Sequence, residues 1–86
     1  MEILFQSKDI LKQLLIFEDR VEIKGIASAK ILPMKKIANV SFNKMLGRLT
    51  IETSGGEKSE YNFFGFGGWH KAEEATRIIT KIIASS

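Results

Sequence analysis

The constraint that most limits this chain is a change of hydrophobic period near its C-terminus. Through most of the sequence apolar residues recur every second position. From Lys71 to Ala84 they fall instead at Ala72, Ala75, Ile78, Ile79, Ile82 and Ile83, with Glu73, Glu74, Arg77 and Lys81 between them. That spacing predicts one amphipathic helix of about 3.6-residue period over 71–84. Glu73 precedes Arg77 by four positions, the favoured order for a helix ion pair. Acids in the first turn and Lys81 in the last would suit the helix dipole. An isoleucine stripe cannot face water alone, so this helix must cover a sheet.

The sheet is read from alternation. Arg20–Lys24 places Val21 and Ile23 on one side, and Gly25 ends it. A tight hairpin at Phe17–Arg20 joins it to an apolar run ending at Phe17. Within that run two readings stay open. Ile10, Leu11, Leu14 and Leu15 have helical spacing behind a Ser7 cap, while Leu14–Phe17 suits a strand. Residues 1–9 form an extended arm or a first edge strand. Ile26–Leu32 is a weaker strand with small residues at Ala27, Ser28 and Ala29, and Pro33 must end it or lie at an edge. Ile37–Asn43 alternates again, with Ala38, Val40 and Phe42 on one face. Asn43–Gly47 is a turn, and Arg48–Thr53 directs Leu49 and Ile51 inward. Ser54-Gly55-Gly56-Glu57 signals a hairpin, returning through Lys58–Phe64 with Ser59, Tyr61 and Phe63 on one phase. The expectation is an α+β domain spanning 1–86: about six to seven antiparallel strands in a strongly bent sheet or partly open barrel, capped by one C-terminal helix.

Composition excludes several chemistries. With no cysteine among 86 residues, a disulfide framework, a thiolate metal site and a cysteine nucleophile are ruled out. The charge of +3 is a mild basic excess, interspersed with acids apart from a loose group at Lys30, Lys35 and Lys36. No run approaches the ~18 apolar residues of a membrane span, and Ile10–Phe17 lacks the layout of a secretion signal. The reading is a soluble cytoplasmic protein.

The stretch Leu32-Pro33-Met34-Lys35-Lys36-Ile37-Ala38-Asn39-Val40 resembles the I-P-L-x-x-I-x-x-V signature of bacterial pleckstrin-homology-like (GRAM-type) domains. The flanks agree in type: Asp19-Arg20-Val21-Glu22-Ile23 before it, then Gly47-Arg48-Leu49-Thr50-Ile51-Glu52-Thr53, a glycine turn and a terminal helix. The resemblance implies a curved seven-stranded barrel or bent sandwich capped by the helix, with no catalytic activity and no cofactor. Eukaryotic members often bind phosphoinositides through basic residues between their first two strands. Taken as that loop, Glu18-Asp19 is short and acidic, so the site does not carry over. Bacterial members look mostly like oligomerising or protein-docking modules.

Candidate functional residues are few. His70 is the only histidine and has no metal ligand or nucleophile at useful spacing. Asn62–Trp69 is the most unusual stretch. It lacks the G-K-[ST] of a phosphate loop, and its Phe64-Gly65-Phe66 only partly echoes an RNA-stacking strand, which makes nucleic acid a poor fit. Phe64, Phe66 and Trp69 pack beneath the helix, or they form an aromatic patch that anchors a partner. Lys30, Lys35 and Lys36, with Lys24 and Lys44 nearby, are candidate anion contacts; their alternative role is to protect a strand edge. The leading expectation is a non-enzymatic module for protein contacts or homo-oligomerisation, with no small-molecule substrate. The alternative is a binder of anionic surfaces, lipid head groups or nucleic acid, through Lys30, Lys35, Lys36 and nearby aromatics.

Overall fold

A computed structural model describes residues 2–63, 65 and 67–85. The chain opens with four antiparallel strands in sequential order: β1 (Phe5–Lys8), β2 (Gln13–Ile16), β3 (Arg20–Lys24) and β4 (Ala29–Pro33). A single turn of 3₁₀ helix (Met34–Lys36) leads into a second sheet of β5 (Ile37–Asn43), β6 (Arg48–Thr53) and β7 (Lys58–Asn62). Helix α1 (Gly68–Ala84) closes the chain. The fold is therefore α+β as expected, but the strands divide into two separate sheets and do not close a barrel.

The first turn settles the open reading of residues 7–15. Asp9 Oδ1 accepts the backbone N–H groups of Leu11 (2.8 Å) and Lys12 (2.6 Å), closing a turn between two strands. Ser7 therefore pairs across a ladder with Leu14 and caps no helix. The next hairpin forms where expected, with the Phe17 N–H donating to the Arg20 carbonyl at 2.8 Å. At the β3–β4 turn the Gly25 N–H donates to the Ser28 carbonyl (2.7 Å). By alternation from that pair, Lys30 and Leu32 hydrogen-bond to β3, while the backbone groups of Ala29, Ile31 and Pro33 point outward. Pro33 thus lies where its missing N–H breaks no ladder bond.

β5 and β6 have the bounds that alternation sets. A bulge between Ile37 and Asn39 shifts the phase, however, so Ile37 is buried and Ala38 exposed, while Val40 and Phe42 are half-buried. The inward phases of all strands meet in one core that includes Leu14, Ile16, Val21, Ile23, Leu32, Leu49, Ile51 and Tyr61. Ala72, Ala75 and Ile79 of α1 complete it, with the helix lying over β5 and β6.

The helix begins three residues earlier than its periodicity indicates. Gly67, at φ +82°, takes the N-cap position without a side-chain cap, and Gly68 starts the helix against the end of β7. The first turn consequently contains no acid, which corrects the dipole expectation at that end; Lys81 does occupy the last turn. The Glu73–Arg77 pair forms at 3.4 Å.

Candidate functional site

Two of the three aromatic candidates, Phe64 and Phe66, lie outside the described residues. The third, Trp69, sits half-buried at the start of α1. The ammonium of Lys44 lies 4.4 Å from its ring centre, and the His70 ring lies 3.6 Å away, tilted by 31°. Trp69 lines a depression of about 240 Å³ with Lys44, Met45, Leu46, Gly47 and residues of the segment before α1. His70 is exposed, and no grouping of three or more metal-ligating side chains occurs among the described residues.

The candidate lysines separate. Lys35 borders the β2–β3 turn in a depression shared with Glu18, Asp19, Pro33, Met34 and Ile82. That acidic turn is held there by the Met34 N–H, which donates to the Asp19 carbonyl at 2.8 Å. Lys36 is tied through its backbone to the start of the β6–β7 turn, its carbonyl accepting the Ser54 N–H at 2.9 Å. Lys30, toward the other end of β4, forms an ion pair with Glu57 at 2.9 Å and lines a different groove. No described depression brings the three together.

The structure instead draws attention to the end of the first sheet where the β1–β2 and β3–β4 turns emerge. These turns are neighbours because Gln13 at the start of β2 pairs with Lys24 at the end of β3. Their tips carry Ile10, 97% exposed, Leu11, 59% exposed, and Ile26, 81% exposed. Lys8, Lys12 and Lys24 flank them, all exposed. Single exposed apolar residues are ordinary, but three branched aliphatic side chains on adjacent loop tips at one end are not.

Beside these tips runs a groove of about 560 Å³ between the β3–β4 turn and the start of β7. Lys12, Ile23, Gly25, Ser28, Ala29, Lys30, Lys58, Ser59 and Glu60 line it. Ser59 is only 6% exposed, and its hydroxyl has no hydrogen-bond partner. Five lysines (Lys8, Lys12, Lys24, Lys30 and Lys58) thus lie at these turns, strand ends and the groove, together with Asp9, Glu57 and Glu60. Several of these charges are already engaged. Asp9 holds its turn, Glu60 reaches Arg48 at 3.6 Å, and Lys24 reaches Glu22 at 3.7 Å. Glu22 also accepts from Arg20 Nε at 2.5 Å, a bond that raises the guanidinium pKa above its usual value. Arg20 in turn lies 4.0 Å over the Phe17 ring.

Tyr61 ties β7 to the first hairpin. Its hydroxyl donates toward the Ser7 and Lys12 carbonyls, each at 3.4 Å, and burial raises its pKa above the usual value for tyrosine. This contact fixes the β1–β2 turn against the second sheet and so fixes one wall of the groove.

With the β1 and β2 strands in place, Glu18-Asp19 proves to be the β2–β3 turn; the loop between the first two strands is residues 9–12, which carries Lys12 beside two apolar tips. Sequence reasoning missed Ile10, Leu11 and Ile26 because the first two were absorbed into an apolar run. It also passed over Ser59, although a serine on the same inward phase as Tyr61 and Phe63 was a legible signal. No helix among the described residues is long and apolar enough to cross a membrane. No family model matches the chain, and no curated protein or solved structure is significantly similar to it.

Proposed function

We propose that this chain is a non-enzymatic, pleckstrin-homology-like binding module of the cytoplasm that docks on anionic membrane surfaces. The docking end is the one bearing the β1–β2 and β3–β4 turns. The observation that carries this reading is the exposure of Ile10, Leu11 and Ile26 on adjacent turns, flanked by Lys8, Lys12 and Lys24.

Magnitudes favour a bilayer over a second copy of the chain. Burying each aliphatic tip contributes about 1.5–3 kcal/mol before ordering costs, and each lysine near an anionic leaflet contributes about 1 kcal/mol. Neither alone gives stable attachment; together they give reversible, charge-dependent binding. A two-fold dimer through the same end would instead set lysine against lysine.

Co-sedimentation with vesicles tests the proposal. Binding is expected to phosphatidylcholine vesicles containing about a third phosphatidylserine, to weaken steeply with added salt, and to be lost in Ile10→Ser/Ile26→Ser. Equal binding to pure phosphatidylcholine, or an unchanged double variant, would sink it.

A second reading, self-association by strand addition, rests on β4. Its outer edge presents the backbone of Ala29 and Ile31, and the Ile31 side chain is 58% exposed. Light scattering at high concentration decides it: a discrete dimer abolished by Ile31→Lys supports pairing at this edge, and a monomer removes it.

A further inference from the structure

We infer that β4 is the seam of a two-fold dimer whose docking ends face away from each other, so that one dimer bridges two anionic membrane surfaces. This rests on the membrane reading for what the ends bind, and on strand addition at β4 for how the copies meet. The two readings use different parts of the molecule and are compatible.

The argument starts from the edges of the first sheet. The outer edge of β1 is taken: the Ser7 carbonyl accepts from the Tyr61 hydroxyl at 3.4 Å, and the Phe5 ring meets Phe63 edge-on with centres 6.1 Å apart. β4 pairs with β3 alone, and its Ala29, Lys30 and Ile31 are exposed. Edge strands are ordinarily protected by proline, by free charge or by a cover. Here Pro33 removes only the last outward N–H of the strand. The one charged side chain of β4, Lys30, is engaged by Glu57 at 2.9 Å.

The edge is complementary to a second copy of itself. Ile31 is the middle residue of β4 (Ala29–Pro33), so antiparallel pairing centred there uses the whole strand. Ile31 stands opposite the partner's Ile31, Ala29 opposite the partner's Pro33, and Lys30 opposite the partner's Leu32. The outward N–H and C=O of Ile31 then meet their own counterparts, and each Ala29 N–H meets a Pro33 carbonyl. The missing proline N–H falls at the rim of the seam, where the Ala29 carbonyl stays in water. Ala29, Ile31 and Pro33 share the outer phase, opposite to Leu32 in the core. Pairing joins them into one apolar strip across both copies. Each Lys30 keeps its Glu57, so no unpaired lysine is set against another.

Symmetry then decides what the dimer does. A two-fold axis normal to the sheet reverses the strands of the second copy. The docking end lies where β4 begins, at the β3–β4 turn. The two docking ends of a dimer therefore point in opposite directions. One flat bilayer meets only one of them, and two bilayers meet both.

The chain lacks cysteine, which makes the register measurable. Ile31→Cys sets two thiols on residues whose Cα atoms are about 5.5 Å apart, within disulfide reach. Mild oxidation is expected to link this variant into covalent dimers. Ala29→Cys, whose two copies lie at opposite ends of the seam, should stay unlinked. Two populations of phosphatidylserine-containing vesicles, one with a donor dye and one with an acceptor, then read bridging as energy transfer. Wild type is expected to cluster them. Ile31→Lys is expected to co-sediment at least as well as wild type and to lose the clustering. Ile10→Ser/Ile26→Ser is expected to remain dimeric and to lose both. A monomer at high concentration with no Ile31→Cys cross-link would overturn the bridging and leave the membrane reading standing. Clustering unchanged in Ile31→Lys would overturn the β4 seam. A dimer that binds no vesicles would overturn the bridging together with the membrane reading, and spare the seam.

Discussion

Gly68→Ala puts the joint between the sheet and the helix to the test. In an exposed helix the change stabilises by up to about 1 kcal/mol, because alanine restricts the unfolded chain and favours the helix. Here a Cβ at residue 68 would lie 2.3 Å from the Phe63 carbonyl oxygen, 3.1 Å from its carbon and 3.3 Å from the Phe63 Cβ. Ordinary contact begins near 3.4 Å, so the overlap is about 1 Å. Phe63 has little room to retreat, because its side chain is buried and its N–H donates to the Gly47 carbonyl at 2.8 Å. Either the helix start or the end of β7 must move. Forced overpacking costs about 1–3 kcal/mol, and a 2.3 Å clash with backbone falls at about 2–3 kcal/mol of that range, so that after a propensity gain of up to about 1 kcal/mol the net loss is about 1–2 kcal/mol. For a domain of this size that lowers the melting temperature by roughly 5–15 °C. Thermal and urea unfolding measure it, with Gly55→Ala as the control. Residue 55 has a negative or extended φ and only Thr53 Oγ1 near it, at 3.9 Å, so its change should stay within about 0.5 kcal/mol. A Gly68→Ala variant as stable as wild type would refute the close approach of the start of α1 to Phe63 at the end of β7.

Ile79 is fully buried between helix and sheet. Ile79→Ala should therefore cost about 2–5 kcal/mol in urea unfolding, and a loss below about 1 kcal/mol would mean the helix does not seal the core. Gly56 sits at φ +88° with open space around it; Gly56→Ala should lose about 1–2 kcal/mol from left-handed strain alone, and a neutral result would argue for a different turn. Tyr61 is the only tyrosine, so its ionisation can be read directly by near-ultraviolet absorbance. Its native pKa is raised, so the folded chain holds the proton after the unfolded chain has lost it. The stabilisation is fully present below the unfolded value near 10 and is lost as pH rises through the native one. Ionisation at or below the ordinary value would show that the hydroxyl is not buried against β1 and β2.

Local pattern carried the regular elements. Val21 and Ile23 on β3, and Leu49 and Ile51 on β6, face inward because their strands alternate between clear breakers, Gly25 and Gly47 among them. Pairing partners decided what pattern could not. β1 is Phe-Gln-Ser-Lys, with a single apolar residue, and it is a strand because β2 supplies its ladder. The start of α1 was hidden for a different reason. Gly67 and Gly68 have poor helix propensity, yet glycine is what the φ of +82° and the approach to Phe63 require. The groove was beyond sequence reading altogether, because its walls come from the β1–β2 turn, the β3–β4 turn and β7. Proximity in sequence misled in the opposite sense for Lys30 and Lys35, which β4 and the turn after Pro33 carry to different depressions.

The absence of cysteine permits a direct test of the proposed membrane-docking end. A single cysteine would be placed at Ile10 or, in a separate variant, at Met45. These residues are 97% and 94% exposed, and Met45 lies on the β5–β6 turn. Each variant would carry a polarity-sensitive fluorophore and be mixed with phosphatidylserine-containing vesicles. The account predicts a blue shift at residue 10, reversed by high salt, and none at residue 45. A shift at residue 45 alone, or at neither position, would contradict it.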